Sequence, residues 1–181
     1  MSPWKLFKRD PHEAEAIRLY HAIVSQARRP EFYEGGGVPD SIDGRFELIA
    51  LHAYLILRRL RAAGAAGEPL AQALVDVLFA DLDASLREMG AGDLGVGKRV
   101  KRMATAFYGR IGAYETSENK GALEQALTRN LFGTVKPQPA QLAAMTGYVE
   151  TALAQLAKQP LPEIMAARLN FPAPDVVAGA Q

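Results

Sequence analysis

The chain has 181 residues, 49 % of them hydrophobic, a formal net charge of +1 and no cysteine. That length suits one domain with a sizeable core, and the near-zero charge gives no global attraction to DNA or membrane. The missing thiols exclude disulfides, cysteine-ligated zinc and thiol nucleophiles, and no run reaches the roughly 18–20 apolar residues of a spanning helix. With no signal-peptide pattern at the start either, the expected setting is the cytoplasm, with peripheral contact at the inner face of the membrane.

Residues 1–11 read as an N-terminal arm in which Trp4, Leu6 and Phe7 alternate with Lys5, Lys8 and Arg9. The pattern suits a frayed terminus first and an anionic membrane surface second. A helical body is expected over 12–158. Its first helix runs from His12 to Ala27 through Ile17, Tyr20, Ile23 and Val24, and Arg28, Arg29 and Pro30 close it. The loop EFYEGGGVPDSIDG (31–44) mixes glycine and turn residues with Phe32, Tyr33, Val38 and Ile42, so it should pack onto the body. Arg45 to Arg61 is apolar almost all round. Such a helix is central, or, where uncovered, a patch for a partner.

A third helix is predicted from about Pro69 to Met89. Asp81 falls inside its apolar arc, and a buried carboxylate needs a partner; Arg99, Arg110 or Arg45 is expected to supply it. Gly90, Gly92, Gly95 and Gly97 then form a corner. The fourth helix, about Val96 to Glu115, carries Val96, Val100, Met103, Phe107, Ile111 and Tyr114 on one stripe, with Lys98, Lys101 and Arg102 opposite. Further helices are expected over 118–131 and 140–158. Residues 159–181 form a proline-rich tail, with one short helix near 163–169 and a disordered end. No alternating strand is found. The fold class is all-α, a single compact bundle of about six to seven helices.

GAGDLG (90–95) fits a dinucleotide fingerprint and GDLGVGK (92–98) most of a phosphate loop. Both need a preceding strand, and the second needs Ser or Thr where Arg99 stands. An interhelical corner is the better reading. His12, His21 and His52 lack metal-ligand spacing, and His52 is expected as a hydrogen-bonded core histidine. Asp76, Asp81, Asp83, Glu88 and Asp93 lack the spacing of a calcium loop, and no serine has nucleophile-elbow context. Neither an enzyme nor a cofactor or metal site is expected.

The residues resemble the ubiquinol–cytochrome c chaperone family. The likeness is carried by LYHAIVSQARRPEFY (19–33), GVPDSIDGRFELIALHAYLILRRL (37–60), LAQALVDVLFADLDASLREMGAGDLGVGKRVKRMATAFYGRIGAYE (70–115) and LTRNLF (127–132). It leaves Pro137 onward uncovered. The EGGG stretch and Ala91 depart from the pattern. The resemblance implies a non-enzymatic factor that binds newly made cytochrome b and assists assembly of the cytochrome bc1 complex. Mitochondrial members work near the ribosome and pair with a small accessory protein; this chain, without an obvious transit peptide, resembles a bacterial member.

A chaperone of this kind needs an exposed apolar surface with a polar rim. The expected partner groove is bordered by Arg28, Arg29, Phe32, Tyr33, Val38, Asp40 and Asp43 on one side and by Lys98, Lys101 and Arg102 on the other. Asp81, Arg99, Arg45, Gly90, Gly92 and Gly95 take structural roles. The alternative is a basic helical module that binds RNA, the ribosome or an anionic membrane surface, with no role for DNA.

Overall fold

A helix apolar on every face needs neighbours on every side, and in this fold the longest apolar run of the chain finds them. The computed structural model describes residues 11–88 and 93–174. In chain order it contains α1 (Glu13–Ala27), α2 (Glu31–Glu34), α3 (Ile42–Arg61), a 3-10 turn (Gly64–Ala66), α4 (Glu68–Glu88), α5 (Asp93–Glu115), α6 (Lys120–Asn130), α7 (Pro139–Lys158) and α8 (Leu161–Met165). No strand occurs among the described residues, so the glycine corner follows a helix and the nucleotide motifs lack their sheet.

α3 is the hub, packed against α1, α4, α5 and α7. Leu48, Leu51, Leu55, Ile56, Leu57 and Leu60 are sealed, and after Ile42 no large apolar side chain of the helix is exposed. The helix therefore offers no sticky face. Its start lies earlier than the turn-like sequence suggested. Ser41 caps it, its hydroxyl oxygen accepting from the Gly44 N–H at 3.1 Å. Gly44 is required there because a Cβ would stand 1.9 Å from the Pro39 carbonyl oxygen. Asn119 caps α6 in the same way, accepting from Ala122 N–H at 2.9 Å.

Contacts across α3 fix the direction of its neighbours. Glu47 meets Arg110, Tyr54 meets Tyr114 and Arg58 meets Glu115, so α3 and α5 run parallel. His52 meets Tyr148 and Arg59 meets Leu156, so α7 runs the same way. The arginines at the end of α3 do more than complement its dipole. Arg58 donates to the Tyr54 hydroxyl at 3.0 Å. Arg59 donates to the carbonyls of Leu156 and Gln159 at 2.9 and 3.0 Å, closing the open end of α7.

The proline-rich segment after α7 carries its short helix at Leu161–Met165, close to the expected 163–169, and through Pro174 it is a strap folded back on the core; the end expected to be disordered, 175–181, lies outside the described residues. Gln159, only 7 % exposed, accepts from the Asn170 N–H at 3.1 Å and donates to the Arg168 carbonyl. Ile164 is fully buried. α8 turns the strap with paired bonds from Ala167 N–H to the Ile164 carbonyl and from Arg168 N–H to the Glu163 carbonyl, a motif that places Ala167 at φ 58°.

Candidate functional site

The loop expected to border a groove is fastened rather than open. Phe32 is fully buried, its ring edge-on to His52 at 5.3 Å and to Tyr148 at 5.0 Å. Val38 is 2 % exposed and donates its N–H to the Phe32 carbonyl at 3.1 Å. These two residues anchor the loop in the core and cannot meet a partner in this conformation, which corrects their expected role. Half-buried Tyr33 donates its hydroxyl to the Ala27 carbonyl at 2.9 Å. Arg28 is exposed, Arg29 pairs with Glu31 at 2.6 Å, Asp40 pairs with Arg45 at 2.7 Å, and Asp43 sits exposed in the first turn of α3. Ile42, at 68 % exposure, is the apolar side chain this end presents.

Behind the loop lies a polar–aromatic centre. Gln26 donates to the Tyr148 hydroxyl oxygen at 3.0 Å and to the Pro172 carbonyl at 3.3 Å. The Tyr148 O–H donates in turn to His52 Nε2, and His52 Nδ1–H to the Leu48 carbonyl, each at 2.7 Å. Phe171 of the strap closes over the imidazole at 5.2 Å. Burial lowers the His52 pKa to about 4, so the ring is neutral at pH 7. The centre joins α1, α3, α7 and the strap, and none of it opens to a substrate. Sequence reasoning placed His52 correctly in the core but had no signal for partners 26 and 96 residues away.

α5 supplies the other border. Lys98, Arg99, Lys101 and Arg102 are exposed, and none forms an ion pair with a described residue. Lys98, Lys101 and Arg102 share the outward face with Thr105, whereas Arg99 and Met103 lie on the stripe that faces α3 further down. Arg110 on that stripe marks the level of Glu47. Val96 is fourteen residues above Arg110 and Ile42 is five above Glu47. At ~1.5 Å per residue, the tip of α4 and α5 overhangs the start of α3 by about 13 Å. The loop and the start of α5 therefore lie at the same end of the bundle. Gly95 belongs to α5, while Gly90 and Gly92 lie outside the described residues.

Two expected structural roles change. Asp81 is exposed, and its partner is not an arginine but Tyr20, whose hydroxyl donates at 2.7 Å. The proposed arginines are engaged elsewhere or face solvent: Arg110 is bidentate to Glu47, and Arg45 pairs with Asp40. Glu47, 6 % exposed, is the true buried acid. Burial pushes its carboxyl above the ordinary range although Arg110 pulls it down. The clue was an acid alone on an otherwise apolar helix. No group of three or more metal-ligating side chains occurs among the described residues.

A model of the ubiquinol–cytochrome c chaperone family matches residues 34–171, so the likeness continues through α7 and into the strap, past the limit expected at Pro137. The crystal structure of the Cbp3 homolog from Brucella abortus is similar with a TM-score of 0.79 and 37 % identity, over 91 % of this chain and 92 % of that one. Ubiquinol-cytochrome c reductase complex assembly factor 1 of Mus musculus is 27 % identical over 158 residues, 86 % of this chain and 51 % of the relative. The mitochondrial protein CBP3 of Saccharomyces cerevisiae is 28 % identical over 151 residues, 80 % of this chain and 45 % of the relative. This chain thus spans about half the length of these two curated relatives. On the family match and the shared helical architecture, the chain belongs to the ubiquinol–cytochrome c chaperone family, a family of chaperones rather than enzymes, with relatives named as assembly factors.

Proposed function

We propose that this protein holds newly made cytochrome b and delivers it into the ubiquinol–cytochrome c reductase complex. The observation that carries the reading is the family match over residues 34–171, which takes in α3 to α8 and most of the strap. The client segment docks in the notch below the α4–α5 overhang. At this end it meets Ile42, Tyr33, Asp40 and Asp43 from the loop and the start of α3, and Arg99 with Met103 from α5. A notch with one exposed aliphatic side chain and a charged rim favours a short contact that is readily released over a deep greasy cleft.

Photocrosslinkers at Ile42, Tyr33, Asp43 and Arg99 should capture cytochrome b in cells. Silence at all four with client binding intact would discard the notch. Deleting the gene should lower cytochrome b and the activity of the complex together, and normal levels of both would discard the function. The second reading, a basic module for RNA or anionic membrane, is favoured by one observation, the unpaired cations of α5.

A further inference from the structure

Arg18, Arg29, Arg45, Arg58 and Arg87 each face an acid on this surface, whereas Arg28, Arg61, Arg129 and Arg168 stand exposed one at a time. The tip of α5 differs in gathering three exposed cations on one helix face. Lys98, Lys101 and Arg102 lie exposed on its outward face, and no described carboxylate neutralises them. No acidic residue follows in α5 until Glu115. The face continues through Thr105, Gly109 and Gly112, and a Cβ added at either glycine would meet nothing within 4 Å. It is an open face with its cations gathered toward the start of α5.

We propose that this outward face of α5 rests on an anionic phospholipid surface through Lys98, Lys101 and Arg102. No helix among the described residues is long and apolar enough to cross a membrane. A factor serving a membrane-embedded complex works beside a lipid surface, and clustered lysine and arginine hold to such a surface by attraction to acidic headgroups. The choice of lipid rests on the assembly-factor reading; the cationic face itself does not.

The test uses the purified full chain and vesicles of phosphatidylcholine with 30 % phosphatidylglycerol, without any client, so its result is independent of cytochrome b binding. The wild type should sediment with these vesicles, weakly with pure phosphatidylcholine, and less as salt rises. The triple variant Lys98→Gln, Lys101→Gln, Arg102→Gln should lose on the order of 100-fold in partitioning while keeping its helical circular dichroism and melting temperature. Lys98→Arg with Lys101→Arg should bind like the wild type. Equal sedimentation of the triple variant overturns the proposal, as does equal binding to neutral vesicles. Loss of binding on removing residues 1–10 with the triple variant unaffected would assign the hold to the arm instead. Binding of ribosomal RNA, but not vesicles, that the triple variant abolishes would assign the face to RNA.

Discussion

Burying an imidazole as a neutral ring makes acid its antagonist. His52 titrates near 6.5 when unfolded and near 4 when folded, so between those values the unfolded chain binds the extra proton. The stability it contributes is complete above about pH 6.5 and is lost as the pH falls toward 4, on the order of 3 kcal/mol from this group. Urea denaturation of the wild type should show that loss, while His52→Gln, weaker at pH 7, should show a flatter profile across the same window. Two backbone positions make opposite demands. Gly44→Ala forces a Cβ onto the Pro39 carbonyl and should cost about 2 kcal/mol or more. Ala167 already carries a Cβ at φ 58°, so Ala167→Gly should gain on the order of 1 kcal/mol in the same measurement. The buried state of His52 was legible from an apolar helix around it. The Tyr148 hydroxyl that donates to its Nε2, itself held by the Gln26 amide, was not, because periodicity says which face is buried and not what lies across it.

Between elements, the junction that sets α5 against α3 is the Glu47–Arg110 pair, with the guanidinium also 5.6 Å from the centre of the Phe46 ring. Arg110→Ala leaves a charged acid buried without compensation and should cost about 3–5 kcal/mol. Glu47→Leu with Arg110→Met should cost less than that single change, and a chemical-denaturation cycle over the four proteins gives the coupling. If the single and double variants unfold alike, the pair does not hold the register. The helices long enough to show a 3.6-residue period were all visible in the sequence, and α3 was visible as central because no polar face interrupts it. α2 was not, since four residues make a single turn. The start of α3 was hidden in DSIDG, where the residues that suggest a loop are the cap and first turn of the helix. Proline punctuation marked the tail and its short helix but not its course: it suits a free tail and a strap held by Gln159 and Phe171 alike, and only long-range contacts separate the two.

Seen whole, this chaperone keeps its grease inside. The long apolar helix suggested an exposed client cleft, yet among the described residues the exposed large apolar side chains, Ile17, Ile42, Tyr108 and Val135, are scattered, which is ordinary for a protein surface. The layer most easily opened is the strap: Phe171 covers His52, beside the buried Phe32 and Tyr148 rings, and the strap is fastened by Gln26 and Gln159 rather than by a long helix. Phe171→Ala should cost about 2 kcal/mol and lower the melting temperature by about 6 °C. A chain ending at Lys158 should go further, binding the dye ANS strongly at temperatures where the full chain scarcely does, because rings that meet protein in the complete fold then meet water. If that shortened chain stays dark and melts as sharply as the full one, the aromatic centre is sealed by α1, α3 and α7 alone. Should it brighten while still capturing cytochrome b at Ile42, the strap protects the core and the client contact is separate from it, as the notch requires.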